Sequence, residues 1–188
     1  MWAEKNFEES MTPHIDNIYR GLFSNLTEIK RSSRDTETDE KILFMDRHLA
    51  IDTFLYFKDG TLITFQEKTR KKSILDAYGA DFTFEYYNDP RTKDEGEWFK
   101  LAAQLYFYGY ANDNLSGYSR FWIVNIPKLR LFLKNKIGIQ QLESRYLKYN
   151  KPPAKANFFA IPFDIIADDC IMYDSTKYAV QVKFGSTA

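Results

Sequence analysis

The sequence predicts an α/β protein, and three stretches predict it. Residues 3–23 carry Met11, Ile15, Ile18 and Leu22 at spacings of four, three and four, the repeat of a helix with one buried face. Residues 51–68 hold two runs rich in β-branched and aromatic side chains, joined by Lys58-Asp59-Gly60, which is the pattern of a hairpin. Residues 121–126 (FWIVNI) form a short apolar run closed by Pro127, a buried strand leading into a helix. A chain of 188 residues is long enough to fill one such core.

Each element follows from its local pattern. Phe7 and Tyr19 widen the first helix's stripe, and Pro13 either kinks that helix or starts its second part, because proline has no amide to donate. Residues 30–41 are polar, with six charges of mixed sign in 31–40, and read as an exposed loop. The apolar run 42–45 and the denser run 51–57 read as strands, with 61–68 as the return strand. A short helix or loop is expected behind the basic Lys68-Thr69-Arg70-Lys71-Lys72, then a strand at 81–87 and a loop at 88–96. Trp98, Leu101, Leu105 and Tyr108 share one side of a helix predicted over 97–110. Further helices are predicted from Pro127 to about Lys136 and over 140–149, the second ended by Asn150 and Pro152-Pro153. Residues 158–163 and 178–184 read as late strands. The sum is one domain, 1–188, with its core in 3–126 and an α/β extension in 127–188.

Composition removes several classes of function. A hydrophobic fraction of 44% excludes a disordered chain. No apolar run reaches the roughly 18–20 residues of a membrane span and no signal peptide opens the chain, so the expectation is a cytoplasmic protein with no membrane partner. The lone Cys170 excludes an internal disulfide framework and a multi-cysteine metal cage, and it reads as a buried small side chain. His14 and His48 are the only histidines, too few for a His-rich zinc site. Lys and Arg number 26 and so do Asp and Glu, and that zero balance on its face argues against nucleic acid. The layout is uneven, however. Residues 125–155 hold eight basic side chains, Lys128 and Arg130 among them, against Glu143 alone, while 81–97 holds six acids. A basic face can hold a phosphate backbone without a basic whole, and it can equally be a solvated helix surface. The 13 Tyr, 16 Phe and 3 Trp can fill a core or stack on bases, and composition does not separate the two.

The hairpin carries the chemistry. Asp52 opens its first strand, and Gln66 and Lys68 close the second. Strand side chains alternate faces, so Gln66 and Lys68 project together while Glu67 points away. Folding at Asp59-Gly60 lays Asp52 beside that pair, and an acid, a polar oxygen and an amine converge at one sheet edge. A carboxylate with nearby oxygens suits Mg²⁺ or Mn²⁺, and an amine beside a metal-bound water can offset charge on a phosphate. The same string also fits an ordinary hairpin with a polar end.

The order helix, strand, Asp-led strand, tight hairpin and x-Lys strand resembles the PD-(D/E)XK nuclease superfamily. The likeness is to a divergent D…QxK form, similar to Mrr-type restriction endonucleases and to Holliday junction resolvase-like folds, and it covers roughly residues 3–126. It implies a restriction-endonuclease-like fold, a central mixed sheet flanked by helices, and a Mg²⁺-dependent endonuclease acting on DNA. Asp52 then matches the metal-binding acid and Lys68 the catalytic lysine. Gln66 stands where the family's second acid normally sits, which removes one negative charge from the metal site. In this reading Asp52, the Glu67 main-chain carbonyl and either Glu8 or Glu85 hold the metal. Gln66 ligates weakly or orients a water, and Lys68 positions the attacking water and stabilises the pentavalent phosphate.

Several assignments stay open. Glu8 lies beside the inward stripe of the first helix, with Glu4, Glu9 and Asp16 as rivals; Glu85 could supply the missing acid if its strand borders the hairpin. Asp46 replaces Asp52 if the strand register shifts, and His48 is a candidate base or a surface residue. Gln104 and Tyr108, four apart on the helix predicted over 97–110, could approach the phosphate. Arg70, Lys71, Lys72, Lys128 and Arg130 are candidates for nucleic-acid binding, whereas Trp98, Tyr106 and Phe107 read as packing. A homodimer is a further expectation from relatives that cut two strands. The alternative function is a nuclease-fold DNA-binding or protein-interaction module that has lost cleavage, for which Gln66 is the argument. A third is an aromatic-rich nucleic-acid binder without nuclease ancestry.

Overall fold

The computed structural model describes residues 2–32, 39–150 and 154–177. The predicted strand 178–184 lies outside them, as do the side chain of Glu4 and the Pro152-Pro153 stop. Helix α1 (Trp2–Leu22) runs through Pro13 and buries Met11, Ile15, Ile18 and Tyr19. Strand β1 (Leu26–Arg31) follows, then α2 (Glu40–Leu49), whose first turn is capped by the Asp39 side chain accepting from the Lys41 N–H at 2.9 Å. Residues 42–45 are therefore helical. Their apolar run is one turn of an amphipathic helix, with Ile42 and Asp46 facing inward four apart.

The hairpin is β2 (Thr53–Phe57) and β3 (Leu62–Lys71). Gly60 turns it at φ +82°, donating to the Phe57 carbonyl, while Phe57 donates to the Thr61 carbonyl. Then come α3 (Lys72–Tyr78), β4 (Asp81–Asp89), β5 (Asp94–Glu95) and a single helical turn, α4 (Glu97–Lys100). The predicted helix over 97–110 stops there, because β6 (Leu105–Ala111) occupies the rest. That strand is buried on both faces, so its unbroken apolar run mimics a helix stripe. Strand β7 (Tyr118–Asn125) leads into α5 (Ile126–Phe132), which continues as a wider turn over Leu133–Ile137. The described residues end with α6 (Ile139–Tyr146), β8 (Leu147–Tyr149), β9 (Asn157–Pro162) and β10 (Ile171–Asp174).

Among the described residues this is an α/β protein with a six-stranded mixed sheet, β1-β2-β3-β6-β7-β10, and a four-stranded antiparallel sheet, β5-β4-β9-β8. Strands β1, β2 and β3 run antiparallel in turn, and β6 lies parallel to β3. Helix α1 covers one face of the large sheet through Leu55, Phe65, Leu105, Phe107 and Ile123. The other face presents Phe54, Tyr106, Tyr108, Tyr110 and Trp122 to Phe82, Phe84, Phe159 and Ile161 of the small sheet, with α2, α5 and α6 closing the layer. The C-terminal part is woven in rather than appended, since β10 pairs with β7 and β9 with β4.

Candidate functional site

Register places the hairpin residues. Thr53 pairs with Phe65 and Phe54 with Thr64, so Asp52, just ahead of β2, stands beside Gln66, and β3 continues past it to Lys71 with β6 as its remaining neighbour. Its main-chain N–H donates to the Phe65 carbonyl, and its carboxylate accepts from the Glu67 N–H at 3.0 Å. Burial pushes the Asp52 carboxyl well above the usual carboxylate range; the Glu67 N–H draws it back, and the charges of Glu67, Asp46 and Glu97 raise it further. Asp46, buried on α2, is thus a neighbour of Asp52 rather than its replacement.

Gln66 and Lys68 project from the face that carries Tyr106 and Tyr108, their partners on β6. The Gln66 Oε1 atom is buried and has no hydrogen-bond partner among the described residues. Such an orphaned acceptor is unusual and asks for a donor or a cation. Lys68 Nζ lies 3.7 Å from Oε2 of Glu97, whose other oxygen accepts the Tyr106 hydroxyl at 2.6 Å. Glu97 is the neighbour of Lys68 that the sequence did not indicate, because it opens a single turn in a segment read as one long helix. Its one signal is local: Gly96 just before it, where a Cβ would come within 2.8 Å of the Glu85 and Tyr86 carbonyl oxygens. Tyr106, expected to be packing alone, is also this carboxylate's donor.

On the opposite face the Glu67 side chain accepts the Tyr19 hydroxyl at 3.0 Å and two Arg31 bonds at 3.1 and 3.2 Å. Arg31 also bonds Asp16. This clamp ties α1 and β1 to the residue whose main chain meets Asp52.

The other expectations divide. Glu8 is exposed on α1, across the sheet from Gln66 and Lys68, so it does not join them. Glu85 sits on β4 of the small sheet, opposite in facing to Phe84, and β4 does not border the hairpin. Gln104 precedes β6, and its side chain accepts from the Thr64 N–H at 2.9 Å while its own N–H donates to Thr64 Oγ1. Tyr108 is buried and bonds Thr83, so the pair with Gln104 on a helix does not exist. Arg70 is spent between the sheets on Thr83 at 3.0 Å. Arg130 donates to the Leu101 carbonyl at 2.9 Å and to that of Trp98, with its guanidinium 4.5 Å from the Trp98 ring centre. Both guanidinium groups are thus engaged within the protein. Lys71 and Lys72 line an open cavity of about 550 Å³ with Phe7, Ser10 and Asn112, and Lys72 there meets Asp76 and Asp113. Lys128 is exposed, and His48 lies against Phe44 on the outer side of α2. Cys170 is buried, as expected.

Among the described residues no group of three His, Cys, Asp or Glu side chains is placed to hold a metal ion. No helix among the described residues is long and apolar enough to cross a membrane. Comparison of the chain with family models, curated proteins and solved structures finds no match.

Proposed function

We propose that the protein is a divalent-metal-dependent phosphodiester hydrolase acting on DNA, with a restriction-endonuclease-like core. The observation that carries this reading is the register that sets Asp52 opposite Gln66, on the strand face that also carries Lys68, at the open end of a hairpin with Gln66 Oε1 orphaned among the described residues. The mixed sheet, with helices over one face and a second layer over the other, accords with it.

The donor set fits Mg²⁺ or Mn²⁺. Asp52 is a largely buried carboxylate among like charges, which a cation would relieve, and Gln66 Oε1 is an acceptor with nothing to accept from among the described residues. Asp52, Gln66 Oε1 and the Glu67 main-chain carbonyl would hold the ion; Glu8 and Glu85 lie too far round the fold to join them. Bound there, the ion supplies an acidified water and a partner for phosphate charge. Lys68 brings a positive charge to the same edge, where it meets the phosphate oxygens as the phosphorus becomes five-coordinate. Asp46 and Glu97 set the local field in which Asp52 ionises.

The test is incubation with supercoiled, linear, single-stranded and branched DNA in Mg²⁺ or Mn²⁺, beside Asp52→Ala and Lys68→Ala. Cleavage that both substitutions abolish in folded protein is the expected result. The absence of a three-acid metal cluster among the described residues favours a second reading, a DNA-binding module without cleavage. Binding without cutting under either metal would select it, and neither binding nor cutting would remove DNA as a partner.

A further inference from the structure

A cation site built on Asp52 and Gln66 has one negative charge fewer than a site with two acids, and Lys68 beside it adds a positive one. Lysine also brings a flexible four-carbon stem, so something must fix its ammonium group. Glu97 stands against it. One Glu97 oxygen is engaged by Tyr106 at 2.6 Å and the other lies 3.7 Å from Lys68 Nζ, with both ion-pair partners largely covered. The carboxylate therefore cannot swing away without giving up a buried phenol bond. Its backbone is held from three directions. Gly96 lets the chain lie directly on β4. The Trp98 ring stacks on Phe84 at 4.7 Å. Arg130 of α5 grips the carbonyls at both ends of the turn, Trp98 and Leu101. A surface ion pair would not need such support, whereas a functional side chain held by locked neighbours does.

Resting on the hydrolase reading, we infer that Glu97 is the positioning residue of this site: it fixes the Lys68 ammonium at the Asp52–Gln66 edge and supplies there the negative charge that Gln66 lacks. The acid has been delivered from the segment between β3 and β6 instead of from the hairpin itself.

The test uses the full chain and two readouts. The first needs no activity: with ¹⁵N-lysine, the Lys68 ammonium peak is identified by its loss in Lys68→Ala. Glu97→Gln keeps an oxygen for Tyr106 and removes the charge, so the peak is expected to shift or vanish; an unmoved peak overturns the inference. The second is DNA hydrolysis at saturating substrate. Glu97→Gln is expected to lower kcat about 10²-fold with KM little changed, the size of effect that misplacing a reacting group produces. The loss should be partly recovered by adding Gln66→Glu, which returns an acid to the same strand face. No loss of kcat in Glu97→Gln, or no recovery with Gln66→Glu, overturns the inference while leaving the hydrolase reading intact. If the parent protein cuts no DNA, the hydrolase reading fails, and the ammonium peak alone decides whether Glu97 fixes Lys68.

Discussion

The carboxylate of Asp52 accepts a hydrogen bond from the main-chain N–H of Glu67 at 3.0 Å, just ahead of β2, where β3 runs on with β6 as its only strand neighbour among the described residues. An acid from one strand thus caps the open edge of the next, and it does so while largely buried among Asp46, Glu67 and Glu97. A carboxyl whose pKa is raised in the folded state binds its proton more tightly there than in the unfolded chain. Its contribution to stability is then full at low pH and is lost as pH rises from the ordinary carboxylate range through the raised value. Asp52→Asn keeps an oxygen for Glu67 and removes the charge. The variant should melt above the parent at pH 8, with the gap closing toward pH 4; each kcal/mol gained is about 2–4 °C for a chain this size. Mg²⁺ should raise the melting temperature of the parent and leave the variant unmoved. Thermal unfolding across pH and metal concentration measures both, and an Asp52→Asn variant that melts below the parent at pH 8 contradicts the argument.

Gly96 and Gly109 separate fold from site. A Cβ at Gly96 would come within 2.8 Å of two main-chain oxygens of β4, which cannot move without the strand. A Cβ at Gly109 would come within 2.5 Å of the Tyr118 ring, on the face covered by α1. Overpacking of either kind costs about 1–3 kcal/mol. Urea denaturation should show similar losses for Gly96→Ala and Gly109→Ala. Only Gly96→Ala should also lower DNA cleavage in the remaining folded protein, because it displaces the turn that carries Glu97.

What the sequence made legible was the hairpin. Asp59-Gly60 sets its register, register sets which residues face together, and Asp52, Gln66 and Lys68 follow from two strands alone. The stripe of α1 was equally plain, with Met11, Ile15 and Ile18 all buried. Two of the misread elements share one cause. In residues 42–45 and in β6 the apolar run is too short or too fully buried for its period to tell helix from strand. Glu97 was hidden by that same error: in a helix running to Tyr110 it would lie more than two turns from Tyr106, whereas β6 brings the Tyr106 hydroxyl onto its carboxylate. Strand β1 was missed because its exposed polar side chains carry little signal at a sheet edge. Arg70 and Arg130 were misread because charge counted along a chain does not say which side chains are spent inside it.

Arg31 is the hinge of the clamp beneath the site. Burial works against its charge, and Glu67 and Asp16 outweigh that and raise its pKa. Arg31→Met would leave Glu67, 11% exposed, without its cation. Breaking such a pair from one side costs about 3 kcal/mol, at the low end of the range here because Arg31 and Asp16 keep some water contact. Adding Glu67→Gln removes the stranded charge and should recover at least half of that loss. Urea denaturation of the two single variants and the double variant at pH 7 measures the coupling, and simple additivity would show that the pair contributes little.

Arg130 and Lys71 distinguish a half-buried structural cation from a phosphate contact. Arg130 supports α4 through two carbonyls and the Trp98 ring, and burial lowers its pKa. Lys71 is exposed beside the cavity at the end of β3. Each phosphate a side chain neutralises adds about 0.9 to the slope of log K against log salt for duplex DNA. Titration of labelled duplex without divalent ions, between about 50 and 200 mM salt, should show the slope falling by about that amount in Lys71→Ala. Arg130→Met should leave the slope as it is and instead lower folding stability by about 2 kcal/mol, the loss of charge-assisted bonds to two main-chain carbonyls. Equal losses of slope in both variants would place Arg130 on the phosphate backbone rather than under α4.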